Sequence, residues 1–524
     1  MNQPFTPWPD HTAEQYRRDG VWSGAGLADM LADHAKKQPE RTAAIDATGR
    51  LSYAELVARA DASAAGLLSA GLKPGDIAVV QSANDIDYLI VLFALFRIGV
   101  VPVCALPAHR EAEIGYFCRH TDAAAYLHPG EAVHEDIAAS VRESVPVVMT
   151  IALAATPSTS VVDPPMRPTG GDLALLQLSG GSTGVPKLIP RTHDDYLYSV
   201  RVAAEVCELD ESTVYLCALP VAHNFPLSSP GILGVLWAGG TVVMAADPSP
   251  DTCFGLIDDT GVTMTALVPA LALVWLRAAR QRGWRAESLR VLQVGGARLD
   301  VAAAAEVTPV LGARVQQVFG MAEGLVCYTR YDDDDDLNHA TQGRPASPWD
   351  EIRVVDDADE PVAPGEAGHL LTRGPYTIRG YFRAEAHNRV AFTTDGFYRT
   401  GDVVRLSPSG HLTVTGRAKD QINRGGEKIA ATEIEERLRR HPGIADAALI
   451  AIPDADLGER ACAVCVVDDA TVTVTAKQVR GFLRGQGIAA YKIPDLVRFV
   501  EQLPKTPVGK IDKQRLATGF ADLD

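Results

Sequence analysis

No stretch of this chain is long and apolar enough to cross a bilayer. The longest apolar region, 89–108, is interrupted by Arg97, Pro102 and Pro107, whereas a spanning helix needs about 20 unbroken apolar residues; it reads as a helix followed by a buried strand. Residues 1–11 carry no Lys or Arg and no apolar run, which gives a secretory signal no support, and a cytoplasmic location is expected. Cysteine is sparse. The 8 residues sit mostly inside apolar runs and suit small core side chains in a reducing compartment rather than a disulfide framework. Cys462 and Cys465 form a CxxC with no second pair and no nearby His, too little for a zinc site. Basic charge is also in deficit: 49 Lys and Arg stand against 66 Asp and Glu, a net charge of -17. Such a surface repels phosphate backbones and anionic lipids, so neither nucleic acid nor a membrane is an expected partner. There is no internal repeat.

What is present suits a large enzyme. Hydrophobic residues make up 47% and charged residues 22% of the 524, enough for a sizeable core and about three domains, or one large domain with an appendage. Up to residue 270, amphipathic stretches alternate with short β-rich runs at 77–80, 100–106, 173–178, 214–219, 241–244 and 264–268. Strands separated by helix-length segments predict parallel sheets covered on both faces, here in two lobes joined by the Pro/Ser/Thr/Gly-rich connector 156–171. The five-Asp run 332–336 reads as a solvated loop, since repelling carboxylates need a folded cage to converge on a cation. Short strands at 352–355, 369–373, 397–400 and 411–415 predict a β-rich subdomain. Thr432 followed by Glu435 predicts a capped helix over 432–440. With the apolar runs 447–452 and 461–467 and a helix over 476–486, it makes a compact α+β tail. The expected fold is α/β: a large N-terminal domain, 1–418, of two parallel-type sheet lobes plus the β-rich subdomain, then a small α+β C-terminal domain, 419–524.

The stretch Ser179-Gly180-Gly181-Ser182-Thr183-Gly184-Val185-Pro186-Lys187 directly follows the run 173–178. Its glycines let backbone amides approach an anion, Ser179, Ser182 and Thr183 add hydroxyl donors, and Lys187 adds a cation. That is a phosphate cradle but not a Walker loop, because no Gly-Lys-Ser/Thr stands at the required spacing. Gly295-Gly296-Ala297 ends the run 291–294 with residues small enough for a flat ring to lie against backbone. Phe319 can stack on a flat ring, and Glu323 is a carboxylate of the kind that can hold a hard cation. Asp402, in Tyr398-Arg399-Thr400-Gly401-Asp402, reads unaided as a turn former. Lys510, taken alone, reads as a solvated surface residue near the C-terminus.

With Phe319-Gly320-Met321-Ala322-Glu323, Gly416-Arg417-Ala418-Lys419-Asp420, Gly425-Gly426-Glu427-Lys428 and Gly509-Lys510 following in order, the chain resembles the adenylate-forming superfamily. That family holds acyl-CoA synthetases, luciferases and the adenylation domains of nonribosomal peptide assembly lines. The resemblance implies ATP and Mg²⁺, with Gly296, Ala297, Val318, Phe319, Gly320, Asp402 and Arg417 joining the phosphate loop around the nucleotide. It makes Glu323 the metal ligand and a catalytic residue together with Lys510 and His223. Lys510 would join the substrate carboxylate to the α-phosphate, a positive charge placed between two anions. Lys419 takes the hinge position about which a mobile C-terminal domain turns after adenylation, bringing the Gly426 loop to line a pantetheine tunnel. Ala322 stands where the superfamily often has Thr, a departure that aryl-acid members share.

The stretch Pro220-Val221-Ala222-His223-Asn224-Phe225-Pro226-Leu227-Ser228-Ser229 bears on the acid. Read locally, His223-Asn224 is a loop pair capping a helix that starts near Ser228. By resemblance, amino-acid adenylation domains carry Asp where Asn224 stands, to pair with the substrate ammonium; a neutral amide cannot, but can hydrogen-bond an ortho hydroxyl. This resembles the stand-alone aryl-acid adenylating enzymes of siderophore pathways, including those acting on 2,3-dihydroxybenzoate. In them Asn224 would meet the 2-hydroxyl and Ser229 the 3-hydroxyl, with His223, Phe225, Gly295 and Val326 lining the ring. Phe225 replaces a Tyr found in many dihydroxybenzoate enzymes, leaving salicylate, 3-hydroxypicolinate and a hydroxyanthranilate open. The expected acyl acceptor is a phosphopantetheinylated aryl carrier protein in trans, with CoA as the alternative; a catalytically silent adenylate sensor is the reading from a different class. The oligomeric state is left open and a monomer suffices.

Overall fold

The computed structural model describes residues 5–156, 167–179, 187–417, 421–424, 427–454, 457–468, 474–486, 490–506 and 510–520. Two mixed sheets build the first part of the chain. A six-stranded sheet runs in the order Val147–Thr150, Ala125–His128, Ile77–Gln81, Val101–Ala105, Leu173–Leu178, Leu188–Thr192. Its strands are parallel except the last, which pairs antiparallel with Leu173–Leu178. A nine-stranded sheet has six central parallel strands: Arg314–Gly320, Val291–Gly295, Met264–Leu267, Val214–Cys217, Thr241–Met244 and Thr42–Asp46.

Parallel strands need helical crossovers, and the sequence punctuates them. The helix Pro269–Arg282 begins with Pro and stops at Gly283, whose φ of +62° suits glycine. Its Trp275 is fully buried against Cys253, Phe254, Leu292 and Val315. The helix Ile86–Ile98 is buried on nearly every side, as its all-round apolar sequence requires, and Asp85 caps it by accepting from the Tyr88 amide. It is followed by the buried strand Val101–Ala105, as read from 89–108. No helix among the described residues is long and apolar enough to cross a membrane.

The chain forms two compact units, Met1–Ile352 with Thr372–Tyr398, and Arg353–Leu371 with Arg399–Asp524. In the second unit the long strands Ile444–Asp454 and Gly458–Val467 pair antiparallel in a five-stranded sheet, with Ile444–Asp454 at its edge. Alternation sends Ala461, Ala463 and Cys465 to a core with Ile434, Leu438 and Val479, and Cys462 and Val464 to one with Ile450, Leu503 and Leu516. Cys462 and Cys465 therefore face opposite ways and form no joint site. All eight thiols are free and buried, and burial raises the pKa of each.

Two local expectations are corrected. The helix Ala431–Arg439 starts one residue before Thr432, with no side-chain cap; Glu435 is instead buried, its Oε1 accepting from the Leu449 amide at 2.7 Å and pairing with Lys513 at 2.7 Å. The Asp run is only partly loop: Asp334 caps the short helix Asp335–Ala340 by accepting from the Leu337 amide at 2.8 Å.

Asp350 has a sealed carboxylate. Its Oδ2 accepts from the Tyr376 hydroxyl at 2.6 Å and the Ser347 amide at 3.2 Å, while Oδ1 is buried without a partner. Burial pushes its pKa up to about 7 from an ordinary 3.8, against the pull of those two hydrogen bonds. A carboxyl whose folded pKa is raised binds more protons folded than unfolded across that interval, so its contribution to stability falls as pH rises from about 4 to about 7. Asp350→Asn keeps an acceptor for Tyr376 and cannot ionise. Chemical denaturation of wild type and Asp350→Asn between about pH 4 and pH 8 is expected to show a smaller loss of stability with rising pH in the variant.

Candidate active site

Crossovers leave loop backbone exposed at the carboxyl ends of parallel strands, which is where open α/β sheets bind ligands. Three strands of the nine-stranded sheet deliver the expected residues to that edge. Val214–Cys217 leads to His223 and Asn224, Val291–Gly295 to Gly296 and Ala297, and Arg314–Gly320, which carries Val318 and Phe319, to Glu323. Gly296 and Ala297 are exposed there, Gly296 at φ +82°. A Cβ on Gly295 would lie 2.9 Å from Phe225 Cζ and 2.9 Å from the Val318 carbonyl oxygen, and one on Gly320 would lie 3.1 Å from Val326 Cγ2. Glycine at 295 thus lets the Phe225 ring close against the strand, beside the buried Val318 and Val326.

The helix expected near Ser228 starts earlier, a correction with consequences for Asn224. His223 is the cap of a helix Asn224–Ser228, its Nδ1 accepting from the Phe225 amide at 3.3 Å, and a second helix, Gly231–Trp237, follows. Asn224 Oδ1 accepts from the Tyr196 hydroxyl at 3.0 Å and from Ser228 Oγ at 3.3 Å. Ser229 is buried beside Tyr328, whose hydroxyl is sealed from solvent.

Ser179 and Lys187, expected at the two ends of the phosphate loop, stand at the facing ends of the antiparallel strands Leu173–Leu178 and Leu188–Thr192. The Ser179 amide donates to the Lys187 carbonyl at 2.9 Å, and the Lys187 amide to Ser179 Oγ at 2.9 Å. Gly180, Gly181, Ser182, Thr183 and Gly184 lie outside the described residues. Lys187 Nζ stands 5.5 Å from the centre of the Tyr381 ring. Tyr381 donates to Glu323 Oε1 at 2.8 Å, and since that uses its one proton, Tyr398 donates to Tyr381 across their 2.8 Å contact. Among the described residues no three His, Cys, Asp or Glu could together hold a metal. A lone carboxylate such as Glu323 suits a hard cation that takes its remaining oxygens from phosphate and water.

In the second unit Asp402 and Arg417 face each other across adjacent antiparallel strands. Arg417 Nε donates to Asp402 Oδ1 at 3.0 Å. Burial raises the Asp402 pKa, with Arg417 and then Lys510 pulling it back, so the Lys510 charge is within electrostatic reach of this carboxylate. The Lys510 amide donates to Thr506 Oγ1 at 3.2 Å, beside a Lys505–Ile511 bridge. Lys419 and Gly426 lie outside the described residues.

Sequence reasoning missed Tyr196 and Tyr381. Tyr196 sits in an amphipathic helix with Tyr198 and Val200, where an aromatic reads as core. Tyr381 sits in Gly380-Tyr381-Phe382, which carries no charge to draw attention. Only the acceptors across from them, Asn224 and Glu323, reveal their roles.

The AMP-binding enzyme family matches residues 31–382, and the AMP-binding enzyme C-terminal domain matches residues 433–510. The chain is 52% identical to the 2,3-dihydroxybenzoate-AMP ligase of Bacillus subtilis (strain 168), over 100% of this chain and 98% of that one. It is 49% identical to a salicylyl-CoA synthase / salicylate adenylyltransferase of Streptomyces sp, covering 98% and 97%. The apo structure of Mycobacterium smegmatis MbtA superposes with a TM-score of 0.76 at 44% identity, covering 98% of each chain. This chain belongs to the AMP-binding, or adenylate-forming, enzyme family.

Because Arg417 opposes the effect of burial on Asp402, its removal raises the Asp402 pKa further and the carboxylate is lost at a higher pH. Arg417→Ala is therefore expected to shift the acid limb of nucleotide affinity upward in pH, beyond any uniform weakening, when KM for ATP is measured across a pH series.

Proposed function

We propose that the chain activates an aryl carboxylic acid with ATP, 2,3-dihydroxybenzoate above others, and passes the acyl group to the phosphopantetheine thiol of an aryl carrier protein in siderophore or nonribosomal peptide biosynthesis. The observation that carries the acid class is Asn224, a neutral carboxamide held by two hydroxyl donors where an α-amino acid would demand a carboxylate. Ser229 is the reading for the 3-hydroxyl, and Phe225, Gly295, Val326 and His223 for the ring walls.

In the first half-reaction a carboxylate oxygen attacks the α-phosphorus, and the bond to pyrophosphate breaks. Lys510 screens the two anions as they meet. The loop from Ser179 to Lys187 cradles phosphate oxygens; Gly296, Ala297, Val318, Phe319 and Gly320 border the adenine; Asp402, steadied by Arg417, accepts the ribose hydroxyls. Mg²⁺ held by Glu323 would supply charge neutralisation at the phosphates, and Tyr381 orients that carboxylate. In the second half-reaction the thiol sulfur attacks the acyl carbon and AMP leaves. In this reading a domain 1–418 carries both binding sites and a mobile domain 419–524 carries Lys510, hinged at Lys419, with Gly426 at the pantetheine tunnel. A cytoplasmic location fits this chemistry. A salicylate substrate with CoA as acceptor is the second reading, favoured by the activity for which the Streptomyces relative is named.

Acid-dependent exchange of pyrophosphate into ATP across a panel of acids tests the proposal. The expected order of kcat/KM is 2,3-dihydroxybenzoate, then salicylate, then benzoate; an α-amino acid outperforming all three would sink the aryl-acid reading. Lys510→Ala is expected to lower exchange by about 10²–10³ with the fold intact, and near-normal exchange would remove Lys510 from the chemistry.

A further inference from the structure

Tyr196 is fully buried on the helix His193–Val206. The Arg191 guanidinium lies 4.7 Å from the centre of its ring, itself held by Asp195 at 2.7 Å and the Ala322 carbonyl at 2.9 Å. The ring therefore has little freedom, and its hydroxyl is aimed at Asn224 Oδ1, 3.0 Å away. Burial pushes the phenol well above its ordinary pKa, so it keeps its proton and serves as a donor. Ser228 Oγ is 3.3 Å from the same oxygen. A carboxamide whose oxygen is claimed by hydroxyl protons must direct its NH₂ elsewhere, and Nδ2 meets no acceptor among the described residues.

We infer that Tyr196 is a positioning residue that fixes Asn224 as a hydrogen-bond donor toward the acid, so that the site selects an ortho group that accepts over one that donates. The inference rests on the reading of Asn224 as the contact to the ortho substituent. An ortho hydroxyl on a benzoate sends its proton to the neighbouring carboxylate and turns a lone pair outward, which Nδ2 can fill. An ortho amine spends one N–H on the carboxylate and turns its second N–H outward, so two donors oppose each other. Of the acids left open by the sequence, the 2-hydroxy acids fit this polarity and a hydroxyanthranilate does not.

The test compares kcat and KM for salicylate, anthranilate and benzoate by pyrophosphate exchange in wild type, Tyr196→Phe and Asn224→Asp. Wild type is expected to favour salicylate over anthranilate. Tyr196→Phe frees the carboxamide to turn, and the salicylate-to-anthranilate ratio is expected to drop about 5- to 10-fold, chiefly through KM for salicylate, with benzoate unchanged. Asn224→Asp offers only acceptors to the acid, so its preference should swing toward anthranilate. An unchanged ratio in Tyr196→Phe, or an equal loss for all three acids, overturns the inference. So does an Asn224→Asp enzyme that keeps the wild-type preference, which holds as a test even where Tyr196→Phe fails to fold. Equal use of benzoate and salicylate by the wild type is a separate failure, one that removes Asn224 from acid recognition altogether.

Discussion

The Arg191 side chain is only 1% exposed, and a charge so deeply buried persists only where its surroundings are arranged to meet it. One arm of the guanidinium binds Asp195, and Asp195 in turn accepts the amide and hydroxyl of Thr192 at 2.8 and 2.6 Å. Another reaches the carbonyl of Ala322, next to Glu323, and the flat face covers Tyr196. The strand that leaves the phosphate loop, the helix that presents Tyr196 and the turn that carries Glu323 are thereby tied to one cation. Removing one partner of such a buried pair costs about 3–5 kcal/mol, so the three segments hold a common geometry or lose it together.

Within each compact unit the polar groups divide by sign. Donors converge where the proposed ligand is an acceptor: Lys187 at the end of the phosphate loop, and the Asn224 amide at the ring. The carboxylates Glu323 and Asp402 are each met by a donor, Tyr381 in one case and Arg417 in the other. Each is held in place by that donor.

Much of this was legible in the sequence. The runs 173–178 and 241–244 coincide with the strands Leu173–Leu178 and Thr241–Met244, because parallel strands buried on both faces leave an unbroken apolar signature. The motifs at Gly295, Phe319 and Glu323 could be placed at strand ends for the same reason. Less visible was whatever depends on a partner distant in sequence. Thr432 and Glu435 match a capping pattern, yet Glu435 is drawn inward by the Leu449 amide and Lys513, a demand that local spacing does not encode. The Asn224 helix starts four residues before Ser228 because His223 can cap it, and Tyr196 is indistinguishable from a core aromatic until the fold brings it to Asn224, 28 positions along the chain.

The burial of all eight thiols has a practical side. A maleimide reacts with exposed thiolate, and each native sulfur is both shielded and held protonated by its surroundings. The natural chain is thus already a quiet background for fluorescent labelling. Cysteines placed on exposed positions would take dyes selectively without stripping the native residues from the cores, in a protein whose packing is otherwise untouched.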